Sequence, residues 1–252
     1  MTLKFRFTFL AFSLIVLFAS CKKDPGTLQI NFQAMYGDEP IVLLEDYTYH
    51  NGNSIQFSKI DFYISDVSIV DNDDDQLTLT DIDFVNLTAG HENAEDAANG
   101  YPIRFNDLEA DSYKSIRFSI GVPPDLNSKE PGEFESSNPL AMSSHYWNAW
   151  SSYIFAKTEG RIDTLGNGVP DLGFLQHSGK DELLRTFIVA VPFNIEEERT
   201  TEITLVIDYE KLYGTDSNFL DIKAKPLAHS PGDLSYPTFM ADNYVNAIYV
   251  KQ

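Results

Sequence analysis

The sequence predicts an all-β protein that folds as a single β-sandwich, immunoglobulin-like or jelly-roll-like, with long loops and one or two short helices. Roughly ten to twelve short segments alternate apolar with polar residues, which is typical of strands with one buried face. Turn signals rich in glycine, proline, asparagine and aspartate separate these segments at regular spacing. The 18 phenylalanines and 13 tyrosines supply apolar area for a large core. Together these observations favour two packed sheets.

The first strands are predicted from alternation and from one hairpin turn. Residues 27–36 alternate apolar and polar side chains, so we predict a strand with one wet face. Residues 47–57 hold Asn51-Gly52, the strongest short hairpin signal, between two apolar runs. We therefore predict two short antiparallel strands on either side of that turn.

A second hairpin with an acidic tip follows. Residues 58–70 alternate with a break at Ser65-Asp66, and residues 77–84 return as the partner strand. The tip spaces three carboxylates like the opening of a calcium loop: Asp71, Asp73 and Asp75. The glycine and the distal glutamate of that loop are missing. We therefore expect a solvated turn and no calcium.

The rest of the chain continues the strand pattern with longer connections. We predict strands at residues 101–105, 112–121, 184–193 and 202–209, the last two being the clearest buried strands. We predict a loop or short helix at residues 90–100, a helical turn at 211–213 and a final helix or strand at 241–250. Residues 123–139 are rich in proline, serine, glycine and glutamate, which predicts an excursion on the surface.

The first twenty residues predict a secretory signal peptide. Lys4 and Arg6 form a positive start, residues 9–18 are apolar except for one serine, and small residues precede Cys21. This ending resembles a lipobox, at which a bacterial lipoprotein is cut so that the cysteine becomes its first, acylated residue. We therefore expect a signal peptide over residues 1–20, an anchor linker over residues 21–26 and one domain over residues 27–252.

Lipidation of Cys21 would determine where the protein resides. Acyl chains on this residue attach a protein to a membrane without a spanning helix. We expect export across the inner membrane and a position at the outer membrane or cell surface. Cys21 is the only cysteine, so no disulfide forms within the mature chain. The residues after it, Lys22-Lys23-Asp24, are similar to the start of many Bacteroidetes lipoproteins.

Charge and motifs exclude several classes of function. The formal net charge of −20 repels phosphate backbones, so we expect no nucleic-acid partner. No nucleophile elbow, zincin helix, phosphate-binding loop or dinucleotide fingerprint occurs in the sequence. No cysteine remains as a nucleophile once Cys21 is the anchor. We therefore predict a protein that is not an enzyme.

One stretch, residues 138–161, holds most of the residues that could bind a metal or take part in redox chemistry. It holds both tryptophans, Trp147 and Trp150, together with His145 and Tyr153, and small residues separate the rings. One interpretation is an aromatic cluster that fills one end of the sandwich core. The other is that imidazole and indole line a metal or redox site. The residues alone leave both open.

The histidines offer ligands but no ligand spacing. The five are His50, His91, His145, His177 and His229, all in contexts that predict loops or turns. No two of them stand two or four positions apart, so the fold must assemble any site. With no thiol in the mature chain, imidazole beside methionine or aromatic rings suits copper or zinc.

Several short motifs occur in an order that resembles a known family. They are Tyr49-His50-Asn51-Gly52, Phe62-Tyr63-Ile64-Ser65, Phe118-Ser119-Ile120-Gly121-Val122-Pro123, His145-Tyr146-Trp147, the run from Ser151 to Gly160, His177-Ser178-Gly179 and Asp242-Asn243. In this order they resemble the MbnP-like family, which comprises secreted β-sandwich copper-binding proteins related to the methanobactin-associated partner protein. The resemblance spans nearly the whole mature chain.

The resemblance implies copper binding, and it implies a di-haem peroxidase partner that oxidises a tryptophan near the site to kynurenine. Trp147 matches the family's first tryptophan, and His177 matches the histidine of its H-x-G motif. The sequence departs from the family elsewhere. His145 stands where the family has methionine, Ala149 takes the place of the second tryptophan, and Ser152 replaces a glycine.

We therefore predict a lipid-anchored, non-catalytic metal-binding protein of the cell envelope, with copper as the metal. The predicted ligands are His177, His145, His50 and His91, and the predicted aromatic shell is Trp147, Trp150 and Tyr153. The alternative is a surface lipoprotein that binds a glycan or an envelope partner through an aromatic cleft, without metal. A third is that the fold is kept and the site lost. Exposed, coplanar indole rings would favour the glycan-binding alternative. Buried rings beside converging histidines would favour metal binding.

Overall fold

A computed structural model describes residues 24–251 of the chain, so the predicted signal peptide and Cys21 lie outside the described residues. The strands are β1 (Gly26–Tyr36), β2 (Glu39–Pro40), β3 (Asp46–Thr48), β4 (Ser54–Asp71), β5 (Gln76–Asn86), β6 (Tyr101–Leu108), β7 (Ser112–Ile120), β8 (Tyr146–Trp147), β9 (Ser152–Ile162), β10 (Leu172–Gly179), β11 (Arg185–Asn194), β12 (Thr200–Asp208), β13 (Gly214–Thr215), β14 (Asn218–Phe219), β15 (Leu227–Ala228) and β16 (Ile248–Val250). The α-helices are α1 (Ala94–Asn99), α2 (Pro124–Asn127), α3 (Tyr209–Tyr213) and α4 (Ser235–Ala247). Short 3-10 turns cover Pro131–Glu133, Pro139–Ala141, Ser143–His145 and Asp181–Leu183. Among the described residues, no helix has the length and apolar character needed to cross a membrane.

Two main sheets form the molecule, which confirms the predicted all-β sandwich. The larger has nine strands along the order β11-β7-β4-β9-β10-β15, with β3 and β5 paired to β4 and β8 paired to β9. The smaller has five strands along the order β16-β12-β1-β2, with β6 paired to β1. β1 and β12 run parallel, and the predicted hairpins β3–β4 and β4–β5 are antiparallel.

The main core fills the space between the sheets. Phe32 of β1 meets Phe62 of β4 and Phe118 of β7 edge-on, with ring centroids 5.8 and 5.9 Å apart. All three rings are almost completely buried. Each such ring stabilises the fold by about 1.5–3 kcal/mol relative to an exposed one. Alternate residues of β4 and β9 point the other way, to the outer face of the larger sheet.

Two of the predicted strands differ from the structure in burial. The sequence predicts β1 with one wet face, but its polar side chains Gln29, Asn31 and Gln33 are buried as well, because α1 covers that face and Gln33 Nε2 donates to the carbonyl oxygen of Ala97. The sequence predicts a buried strand at residues 184–193, but β11 is the last strand of the larger sheet and its side chains alternate between half-buried and exposed. The apolar run misleads there because an edge strand lacks one neighbour. The C-terminal segment is both predicted types in succession, α4 and then β16. The break at Ser65-Asp66 is a bulge, where Asp66 has φ +51°.

Side-chain hydrogen bonds dock residues 123–146 on the outer face of the larger sheet. The Tyr63 hydroxyl donates to the carbonyl oxygen of Pro139 at 3.1 Å, and that of Tyr153 donates to Leu140 at 2.8 Å. The buried Asn127 accepts from the backbone N–H of Tyr153 at 2.8 Å. The predicted surface excursion is therefore held against the sheet by hydrogen bonds, and the chain continues from it into the segment with the two tryptophans.

Candidate metal centre

One row of polar side chains crosses the outer face of the larger sheet. Strand register sets Asp61 of β4 opposite Lys157 of β9, and Lys157 opposite His177 of β10. Glu159 lies two residues along β9 from Lys157, so it shares this face. The row is largely buried by the segment that covers it, since Lys157 Nζ donates to the carbonyl oxygen of Ser144 at 2.6 Å. His177 therefore stands at the end of a charged, shielded row.

His177 is oriented by a carboxylate. Its Nε2 lies 3.0 Å from Glu159 Oε1. Because an ionised carboxylate only accepts hydrogen bonds, Nε2 carries a hydrogen, which in the neutral ring leaves the lone pair on Nδ1. The hydrogen bond from His177 outweighs burial and lowers the pKa of Glu159, with help from Lys59 and Lys157. The contact resembles the carboxylate–histidine arrangement that fixes the tautomer of metal-binding imidazoles.

His229 comes beside His177 through parallel strand pairing. β15 pairs with β10 so that Leu175 is opposite Leu227 and Gln176 is opposite Ala228. The next residue along β10 is His177, and the residue that directly follows β15 is His229; the two imidazole centroids are 6.1 Å apart. Nδ1 of His229 is buried and has no hydrogen-bond partner among the described residues. Burial and the neighbouring His177 lower the pKa of His229, so its ring is neutral at pH 7.

The two tryptophans pack against this pair. The Trp147 ring lies 5.1 Å from the His229 ring and 6.5 Å from the His177 ring, measured between centroids. Trp150 lies beneath Trp147 and donates its Nε1–H to the carbonyl oxygen of His229 at 3.2 Å. Gly179 makes this packing feasible, because a Cβ there would lie 2.7 Å from atoms of the Trp150 ring. The indole and imidazole rings thus form one contiguous cluster.

The other predicted residues of the aromatic stretch lie in a separate small core. The His145 ring packs edge-on against Phe84 at 4.7 Å and Tyr63 at 5.9 Å. Its Nε2 faces Asp61 Oδ2 at 3.7 Å. Tyr153 is fully buried in the same small core. No ring contact or hydrogen bond within residues 24–251 joins His145 or Tyr153 to the His177 ring.

His50 and His91 are also placed away from His177, and each is engaged by hydrogen bonds. The two ring nitrogens of His50 lie 3.2 Å from Asp216 Oδ1 and 3.0 Å from the carbonyl oxygen of Glu210. His91 is fully buried, with Nδ1 donating to the carbonyl oxygen of Ile41 at 2.5 Å. Its Nε2 accepts from the backbone N–H of Ala34 at 3.2 Å. These two rings bind backbone and loops together, and their nitrogens are not free.

The structure therefore assembles two imidazoles, one of them from outside the predicted set. Over residues 24–251 no group of three or more histidine, cysteine or acidic side chains is arranged to hold a metal ion. His177 lies inside β10, so the prediction that all five histidines occupy loops or turns was wrong. At the acidic hairpin tip, Asp71 Oδ1 accepts from the N–H groups of Asp73 and Asp75 at 2.8 and 2.9 Å, as in a turn closed by its own side chain.

Fold and site together define the class of this protein. It is a β-sandwich with two paired histidines and two stacked tryptophans on the outer face of its larger sheet. The chain belongs to the MbnP family, whose model matches residues 25–230. Among solved structures it is similar to MbnP from Methylosinus trichosporium, with a TM-score of 0.52 and 11% identity, covering 76% of this chain and 78% of that one. At this identity the likeness shows a shared fold. A search of curated proteins finds no match.

Proposed function

We propose that this protein binds copper in the cell envelope through the imidazoles of His177 and His229, with Trp147 covering the ion. One observation carries the proposal: His229 holds a buried Nδ1 without a hydrogen-bond partner next to a second, carboxylate-oriented imidazole. A buried nitrogen without a partner costs about 1–3 kcal/mol. A metal ion that binds it would offset that cost.

The donors at this position fit copper. Imidazole nitrogens bind copper well, and they do so in the neutral form of the ring. Metal–imidazole bonds are about 2.0 Å long, so rings with centroids 6.1 Å apart leave room for one ion between them. A closed structural zinc site takes four nitrogen or sulfur ligands, and two imidazoles do not supply four. Copper is therefore the better candidate.

The chain's own residues would have three tasks. Glu159 holds the His177 ring in one tautomer and orientation. Trp150 supports Trp147 from below, so that the upper indole face stays against His229. The indole pair also limits access of water to the imidazoles. Bound copper would supply a centre that exchanges one electron. None of these residues needs to act on a substrate, so the proposed role is binding and not catalysis.

The cellular setting of this proposal rests on the N-terminal segment and the family. A lipid on Cys21 would hold the protein at the outer membrane or cell surface. A di-haem peroxidase that oxidises Trp147 is the partner we propose by analogy with the family. Trp147 is half-buried at the site, whereas Trp150 is 1% exposed, so Trp147 is the indole that such a partner would modify.

The alternative, a glycan-binding aromatic cleft, finds less support. The two indole planes are within 13° of each other, as a sugar platform requires. However, Trp147 covers one face of Trp150 and meets His229 with its own ring, so the pair does not present two adjacent open faces. This packing favours the metal.

The test is copper titration of the mature protein, prepared without the lipid anchor, by calorimetry and elemental analysis. We expect one ion per chain, and loss of binding in His229→Gln and His177→Gln. His145→Gln, which alters the other histidine of the tryptophan segment, is the matched control and should bind normally. Binding that survives in His229→Gln but fails in His145→Gln would show that the proposed pair is wrong. Mass analysis of the Trp147 peptide tests its oxidation separately.

A further inference from the structure

The larger sheet ends in a strand whose outer edge is open. Among the described residues β11 pairs with β7 alone, and the next position in the sheet is empty of strands. Its side chains alternate between half-buried and exposed along all ten residues. Ile188, at the middle of the strand, is 70% exposed. A row of backbone N–H and C=O groups on this side is thus available for pairing.

The neighbouring edge of the smaller sheet completes a groove. β16 pairs only with β12 within residues 24–251 and lies next to β11 across the open side of the sandwich. Between them runs a groove of about 520 Å³ lined mostly by apolar residues. Val245, at the end of α4, is 69% exposed on its rim. The groove is lined mainly by Phe187, Ile188, Val189, Val245, Ile248 and Val250.

This edge lacks most of the features that protect open strands. Natural edges carry charges, prolines, bulges or a covering segment. No charged residue occurs between Arg185 and Asn194. Pro192 and the bulge between Ala190 and Phe193 disturb only the last part of the strand. Residues 186–190 therefore form a flat, uncharged pairing edge in a chain that is otherwise strongly acidic.

The two ends of β11 carry surplus negative charge. At the start of β11, Arg185 is paired with Asp242 at 2.7 Å, and the exposed Glu182 just before the strand has no ion pair among the described residues. After β11, Glu196 is paired with Arg199 at 2.7 Å. Glu197 and Glu198 are exposed and have no ion pair within the described part of the chain. An occupant of complementary chemistry would be apolar in the middle and basic at both ends.

We propose that β11 binds an extended peptide segment of another protein by β-strand addition, with alternate apolar side chains in the groove and basic residues at both ends. Main-chain hydrogen bonds to residues 186–190 would supply affinity, and the pockets beside Phe187 and Val189 would select apolar side chains. A second copy of this chain fits poorly. Antiparallel pairing of two β11 strands would bring Glu182 of one copy against Glu197 and Glu198 of the other.

The test uses two labelled peptides of alternating valine and threonine, as long as β11. One has lysines at both ends and the other has glutamates. Fluorescence anisotropy should show binding of the lysine-flanked peptide, weakened by salt because its charges are screened. Ile188→Lys should weaken it about tenfold or more. Leu165→Lys is the control, since Leu165 is 72% exposed in the loop between β9 and β10.

Amide hydrogen exchange then locates the peptide. We expect protection at residues 186–190 when the lysine-flanked peptide is bound. Equal binding of both peptides, equal losses in the two variants, or protection elsewhere would overturn the proposal. Dimers of the unbound protein in sedimentation that Ile188→Lys abolishes would assign the edge to a second copy instead. None of these outcomes depends on copper.

Discussion

The indole rings of Trp147 and Trp150 lie nearly parallel, with centroids 5.1 Å and planes 13° apart. Trp150 is held at its side chain and at its backbone. Its Nε1–H donates to the carbonyl oxygen of His229, and Lys180 Nζ donates to the carbonyl oxygen of Trp150. The His229 ring in turn packs against Trp147. One residue, His229, thus holds the lower indole through its backbone and contacts the upper indole through its side chain. The tryptophan segment and the β15 loop are therefore positioned as a unit.

This stack requires glycine at position 179. A Cβ there would lie 2.7 Å from two Trp150 ring atoms and from the carbonyl oxygen of Tyr153. We expect Gly179→Ala to displace the Trp150 ring and to lower the free energy of unfolding by about 1–3 kcal/mol, the cost of overpacking. Urea denaturation followed by tryptophan fluorescence measures both effects. Gly173→Ala on the same strand, with its nearest atom 3.9 Å away, should be close to neutral. Equal losses in the two variants would argue against this account.

Glu159 should determine copper affinity without being a ligand. In Glu159→Gln the side chain still accepts from His177 Nε2, but the charge that polarises the imidazole is gone. We expect copper to bind about 10- to 100-fold more weakly, the usual effect of altering the partner of a metal-binding histidine. Calorimetric titration measures the change. Glu92→Gln, at an exposed position near α1, serves as the control. An unchanged affinity in Glu159→Gln would mean that this carboxylate does not orient the ligand.

The buried carboxylate of Asp61 should depend on Thr88. Burial opposes ionisation, but the nearby His145 imidazole, whose Nε2 lies 3.7 Å from Asp61 Oδ2, and a hydrogen bond from Thr88 hold the pKa of Asp61 below its usual value. Thr88 Oγ1 donates to Asp61 Oδ1 at 2.6 Å. We expect Thr88→Val to cost about 1.5–3 kcal/mol, the range for a hydrogen bond to a charged group. Chemical denaturation gives this difference, and Thr78→Val on the exposed side of β5 provides the comparison. Similar losses at the two positions would show that the hydrogen bond from Thr88 to Asp61 is not the cause.

His91 should make stability fall in mild acid. Burial lowers its pKa, and its Nε2 faces the N–H of Ala34, where a second ring proton would meet a donor. The native state therefore favours the neutral ring. The resulting stability is fully present above the unfolded-state pKa of about 6.5 and is lost as pH falls through the lower folded-state pKa. One proton contributes at most about 1.4 kcal/mol per pH unit.

The measurement for this pH dependence is the free energy of unfolding between neutral and mildly acidic pH, in the parent protein and in His91→Gln. The difference between the two curves removes the contribution of the many carboxylates. We expect that difference to shrink as pH falls, because the parent loses stability that the variant never had. Parallel curves over this range would show that the pKa of His91 is the same in the folded and unfolded states, which would contradict the prediction.

The strands and the shape of the fold could be predicted because their cause is local. Alternation along residues 27–36 and 58–70 reports which side chains face the core, and Asn51-Gly52 determines its own turn. The predicted burial of β11 is wrong because an apolar strand has the same sequence pattern whether it pairs with one neighbouring strand or with two. Burial of a strand depends on its place in the sheet, which no local pattern encodes.

By itself the sequence determined an acidic β-sandwich of the MbnP family. Its motifs also made His177 and Trp147 candidate site residues. Only the tertiary structure decided which imidazole accompanies them. His145 lies two residues from Trp147 in sequence yet packs in a different cluster, because His145 ends a 3-10 turn whereas Trp147 lies in the short strand β8 that follows it. His229, 52 positions beyond His177, arrives beside it because β15 pairs in parallel with β10. Strand pairing brings distant residues together, and a sequence does not state its register.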